Sequence, residues 1–156
     1  MVRSVKQSIC SVAEICLAFL KHAETYYRDR DGNPTSKLDT YKRTIRRIRE
    51  QFGEMSSQEF GKQELKLLMK QVIDEKHVRK SINHFANRVR GIFKWAYNED
   101  MAPIDTLVSL QAVSGLKEHR SEAIESEPVL PVPEVDFLKT IRHVTPMMRD
   151  LLLFCR

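Results

Sequence analysis

The sequence predicts an all-α protein of 156 residues: a compact bundle of four main helices, then a linker, then one or two short C-terminal helices. Three observations carry this expectation. Apolar residues recur at steps of three and four along four long stretches. Turn-forming Gly, Pro, Asn and Asp fall between those stretches. Nothing in the first hundred residues alternates as a half-buried strand does.

The first helix is expected from Ser8 or Ser11, either of which could cap it, to Tyr27. Val12, Ile15, Cys16, Phe19, Leu20 and Ala23 form its apolar face. Asp31-Gly32 and Asn33-Pro34 then break the chain. The second helix spans 36–52, with Leu38, Tyr41, Ile45, Ile48 and Phe52 inward and Gly53 ending it. Ser56 or Ser57 is expected to cap a third, over 58–75, carrying Phe60, Leu65, Leu68, Met69, Val72 and Ile73. The fourth, RKSINHFANRVRGIFKWAYNEDMAP, starts at Arg79 and ends near Asn98, ahead of Pro103. Its apolar stripe is Ile82, Phe85, Ala86, Val89, Ile92, Phe93 and Ala96. Gly91 inside it costs about 1 kcal/mol relative to Ala, which a close approach by another helix or by a DNA backbone would explain.

Between 104 and 116 no period is clear. The stretch EHRSEAIESEPVLPVPE is acidic, and its prolines suit an extended linker. Short helices are expected near Pro133 and near Pro146, the second being the strongly apolar PMMRDLLLFCR. The organisation expected is a bundle over 1–115, a linker over 116–133, and the opening of a second, cut domain over 134–156.

Composition narrows the function classes. A hydrophobic content of 42% supports a real core. No segment reaches 18 consecutive apolar residues, so no membrane partner is expected. Glu14, Lys21 and His22 interrupt the N-terminal apolar run, so it reads as a helix and not as a signal peptide. Cys10, Cys16 and Cys155 lack CxxC spacing, and the five histidines lack ligand spacing. Neither a metal site nor a cofactor is expected; the cysteines read as small hydrophobes in a reducing cytoplasm. Trp95, on a flank with His84, Arg88 and Gly91, is expected to pack against a neighbouring helix, with stacking on a base as the alternative.

Charge carries the functional reading. Residues 1–103 hold 20 Lys/Arg against 13 Asp/Glu, a balance of +7; residues 104–156 hold 6 against 8. From Lys76 to Lys94 there are six basic residues and no acid. Lys80, Asn83, Asn87, Arg90 and Lys94 fall together opposite the apolar stripe of the fourth helix. Lys and Arg pair with phosphate, and Asn or Arg can read base edges, so this face suits DNA. The second helix holds six basic residues between Lys37 and Arg49 and one acid, Asp39. Arg43 and Arg47 lie opposite its apolar stripe; Lys42, Arg46 and Arg49 share a flank. Two near-uniform basic helices in one bundle point to a polyanion. The competing expectation is a helical protein-interaction module with an acidic partner.

The order of these features resembles the N-terminal part of a tyrosine recombinase, or phage-type integrase. The resemblance rests on TSKLDTYKRTIRRIREQFG, on the fourth-helix segment, and on VPEVDFLKTIRHVTPMMRDLLLFCR, and covers nearly the whole chain. It implies a core-binding domain that clamps one side of a recombination site on double-stranded DNA. Its second and fourth helices would approach the major groove, with a linker leading to the catalytic domain and self-association on DNA. It implies phosphate contacts from Lys42, Arg43, Arg46 and Arg47, and phosphate and base-edge contacts from Lys80, Asn83, Asn87, Arg90 and Lys94. The family's first catalytic arginine follows a Gly that this sequence lacks before Arg156. Tyr26, Tyr27, Tyr41 and Tyr97 sit where no family nucleophile lies. The expectation is therefore DNA binding without cleavage or joining.

Overall fold

The computed structural model describes residues 10–128 and 130–154; Ser8, Cys155 and Arg156, named above, lie outside them. The described residues form seven helices and no named strand: α1 (Val12–Tyr26), α2 (Ser36–Phe52), α3 (Lys62–Asp74), α4 (Arg79–Asn98), α5 (Ile104–Gln111), α6 (Glu134–Thr140) and α7 (Pro146–Phe154). None of the helices is long and apolar enough to cross a membrane. The chain divides into a unit ending at Ser126 and a second one from Glu127.

Ser11 caps α1. Its hydroxyl accepts from the Glu14 amide at 3.2 Å, and the Glu14 carboxylate accepts from the Ser11 amide at 2.7 Å, a reciprocal box that satisfies two orphan donors. The next two amides, of Val12 and Ala13, go to the carbonyls of Met55 and Gly53 at 2.8 and 2.9 Å. The start of α1 is thus tied to the α2–α3 connection. The expected turn follows, with the Asp29 carboxylate accepting from the Asp31 and Asn33 amides and Gly32 at φ +84. α2 has the expected bounds.

α3 starts later than expected. Ser56 and Ser57 do not cap it. The chain makes a turn there, with the Glu59 and Phe60 amides on the Ser56 carbonyl. Gly61 takes the cap position, its amide held by Glu64 at 2.8 Å. The turn exists because Phe60 is buried, stacked on Phe93 at 4.5 Å between ring centroids. Continuing the helix back to Gln58 is incompatible with that placement, so tertiary packing overrides the local periodicity.

α4 has the expected start and end, and all seven residues of its apolar stripe are buried. It packs against α1, α2, α3 and α5. The sequence left α5 without a period. With two turns and a buried threonine, Thr106, among its inward residues, it is too short and too polar inside to show a stripe. The Thr106 hydroxyl donates to the Ser57 carbonyl at 2.7 Å, which removes the cost of burying it. Cys16 is buried in the core, and burial pushes its thiol up to about 12. It stays protonated and packs as a hydrophobe.

The expected linker is only partly extended. Residues 112–126 return along α4: the Arg79 amide donates to the Ile124 carbonyl at 2.8 Å, and Ala123 is buried. The bundle's unit therefore runs past the expected boundary at 115. In the second unit α6 and α7 have no buried residue; Met147 is 87% and Phe154 89% exposed.

Gly91 has no close neighbour of the kind its cost suggested. A methyl there would meet only the Tyr41 hydroxyl, at 3.6 Å, whereas one at Gly61 would sit 2.8 Å from the Ser109 hydroxyl oxygen. We expect Gly91→Ala to stabilise the fold by about 0.5–1 kcal/mol through helix propensity. Gly61→Ala should cost about 1–3 kcal/mol, because Ser109 must leave its bond from the Lys62 amide. Urea unfolding of the two variants checks both signs.

Candidate nucleic-acid interface

The expected basic residues fall into three places. Arg43 and Arg47 line a groove of about 420 Å³ between α2 and α4. Lys42 and Arg46 face the other side of α2, where with Arg49 they line a second groove against α1. Lys42 there lies 3.8 Å from the Glu24 carboxylate. This split follows from helix geometry, because adjacent residues on a helix point about 100° apart.

Three of the five residues of the row on α4 have partners within the bundle. Asn83 donates to the Leu116 carbonyl at 3.0 Å and accepts from the Leu116 amide at 2.7 Å. Arg90 donates to the carbonyls of Leu110 (3.0 Å) and Val113, and to the Asn87 side chain at 2.7 Å. Burial holds its guanidinium below the usual value. These groups fasten the end of α5 and the returning segment to α4, satisfying carbonyls that a helix C-terminus leaves open. Of the row, Lys80 and Lys94 remain exposed without a partner among the described residues.

The α2–α4 groove is lined by residues that the α4 row does not contain: Ser81, His84 and Arg88 from α4, with His77 just before it and Thr40 and Thr44 from α2. Ser81, His84 and Arg88 are spaced by three and four, one flank away from the expected face. The sequence put His84 and Arg88 on a flank with Trp95 but gave no sign that α2 lies beside it. Trp95 packs onto α1, edge-on to Phe19 at 5.5 Å and stacked on His22 at 5.2 Å.

Two carboxylates enter the groove's electrostatics through Arg47: Glu75, bonded to it, and Glu50, by its charge. Arg47 donates through both terminal nitrogens to Glu75, at 2.5 and 2.6 Å, and His77 lies 3.3 Å from the same carboxylate. The Arg47 bond holds the Glu75 carboxyl below the ordinary carboxylate range and raises Arg47 in turn. Arg79 is likewise committed, with Nε 2.8 Å from both Glu125 oxygens. No cluster of three or more metal-ligating side chains occurs among the described residues. No family model, curated protein or solved structure matches the chain.

Two outcomes follow from these assignments. Arg90→Ala should destabilise the bundle by about 1.5–3 kcal/mol, the range for a charged hydrogen bond. It should also speed amide exchange over 110–116, read by NMR. A double-mutant cycle of Arg47→Gln and Glu75→Gln should give a coupling of about 0.2–1 kcal/mol at neutral pH, since the pair is partly exposed. The folded-state value of Glu75 is depressed, so its contribution is complete above the ordinary value of 4.5 and is lost as pH falls through the lower folded value. The coupling should accordingly vanish in strong acid and survive from neutral pH down to about 5.

Proposed function

We propose that this chain is the DNA-binding part of a site-specific tyrosine recombinase. In this reading the bundle clamps one side of a recombination site, in the cytoplasm, and binds double-stranded DNA without cutting or joining it. The observation that carries the reading is the α2–α4 groove, which gathers Arg43, Arg47, Arg88, His77 and His84, with the Glu75 carboxylate bonded to Arg47 and beside His77. A groove with that excess of guanidinium groups attracts a polyanion, and bidentate guanidinium donors match phosphate oxygens. Hydroxyls of Thr40, Thr44 and Ser81 add the neutral donors that phosphate contacts commonly use. Lys80 and Lys94 extend the positive surface along α4, and Lys42, Arg46 and Arg49 along the far flank of α2. Asn83 and Arg90 act in this reading as the fasteners of that surface.

The test is fluorescence anisotropy of a labelled random-sequence duplex. Log affinity should fall with log salt by about 0.9 for each phosphate neutralised. Three contacts would weaken binding about 40-fold between about 50 and 200 mM salt. Arg43→Glu should weaken binding at least about tenfold with circular dichroism unchanged, since Arg43 is exposed and unpaired. Arg47→Glu is the poorer probe, because it would set one carboxylate against Glu75. No binding at the lower salt would reject the reading in favour of an acidic protein partner, and unchanged affinity in Arg43→Glu would remove α2 from the interface.

A further inference from the structure

Four arginines are partly buried among the described residues: Arg47, Arg79, Arg88 and Arg90. Three of them have oxygens on their terminal nitrogens. Arg47 has Glu75; Arg79 has the Leu116 carbonyl and Glu118; Arg90 has Asn87 and Val113. Arg88 is the exception. Its Nε donates to the Thr44 hydroxyl oxygen at 3.1 Å, and both terminal nitrogens lack a partner. Thr44 donates its own hydroxyl hydrogen to the Thr40 carbonyl at 3.0 Å, so its oxygen is turned to accept. The guanidinium is thus held by one edge with its fork free.

Burial, the larger cause, and the charge of Arg43 both hold Arg88 below the ordinary guanidinium value, with Tyr41 partly opposing them. Two guanidinium groups therefore face one groove with no carboxylate bonded to either. The terminal nitrogens of Arg88 are not themselves buried, so the fork stays open to an anion in the groove, while the partly buried guanidinium is less well hydrated than a free one.

We infer that Arg88 and Arg43 form a subsite for a single phosphate group in the α2–α4 groove, with Ser81 and His84 at its edge. The inference rests on the nucleic-acid reading, for which the ligand is one phosphodiester of the backbone. A free phosphate or pyrophosphate offers the same chemistry. The geometry suits a phosphate group: one fork supplies two parallel donors for two of its oxygens, and the second guanidinium adds charge from α2.

The experiment uses the full chain and the variants Arg88→Gln, Arg43→Gln and, as a control on the exposed side of α3, Lys66→Gln. Duplex affinity is measured over a salt series, and a pyrophosphate titration is followed by amide NMR. The expected result is a salt slope lowered in each arginine variant, by no more than about 0.9 because both groups serve one phosphate, and unchanged in the control. Slopes equal to wild type in both arginine variants would overturn the subsite and leave duplex binding standing. Should the wild type fail to bind duplex, the nucleic-acid reading falls and pyrophosphate decides. Amide shifts over 81–88 that disappear in Arg43→Gln, which alters an exposed residue, would sustain a small-anion subsite; no shifts would overturn it.

Discussion

The buried stripe of α4 is the constraint on which the rest of the bundle depends. Seven of its residues, from Ile82 to Ala96, lose contact with water, and four other helices pack around it. Burying large apolar side chains contributes about 1.5–3 kcal/mol each, so no arrangement that exposes this stripe competes. Phe93 at its centre stacks on Phe60, and that contact sets where α3 can begin. Once α4 is enclosed on its apolar side, only its two flanks and a narrow outer strip remain for polar residues. What each polar residue does is then decided by which neighbour its flank meets.

The two flanks have opposite fates. One carries Asn83, Asn87 and Arg90 and meets the backbone of 110–116, whose open carbonyls and amide draw these groups inward. The other carries Ser81, His84 and Arg88 and meets α2, where basic side chains and hydroxyls face it across a groove. The periodicity of α4 was legible in the sequence to the residue, and so was its polar side. The division of that side was not, because a helical repeat gives angles around one axis and says nothing of what lies opposite. Arg88 illustrates the limit: its flank position could be read, but the placement of its half-buried side chain depends on a bond from Nε to Thr44, which is distant in sequence and reached only through packing.

Boundaries followed the same logic. The bounds of α2 and α4 and the Ser11 cap of α1 were readable because local signals and packing agree there. α3 lost its first turn to the burial of Phe60, and α5 was hidden by its shortness and by Thr106. The acidic stretch after 116 has a linker's composition, yet its carboxylates supply partners for Arg79: Glu125 at 2.8 Å and Glu118 at 3.8 Å. A composition reading treats such acids as solvated and has no means of knowing that a half-buried arginine awaits them.

Charge counts mislead for that reason. The balance of +7 over residues 1–103 includes Arg47, Arg79 and Arg90, whose donors are already taken. Basic side chains are grouped on both sides of α2. Arg43 faces the α4 side with Arg88, and Lys42, Arg46 and Arg49 face the α1 side. α2 is therefore a ridge, about 10–12 Å across with its side chains, that carries positive charge on both slopes. The major groove of a DNA duplex is about 12 Å wide and bordered by a phosphate row on each side. In the proposed function, a ridge charged on both slopes meets both rows at once, while one charged on a single slope would meet one. The alternation of Lys42-Arg43 with Arg46-Arg47, one residue of each pair to each slope, is the sequence pattern such docking requires. Glu75, at the C-terminal cap of α3, bonds Arg47 and not Arg43, so the charge of Arg43 stays available to a ligand.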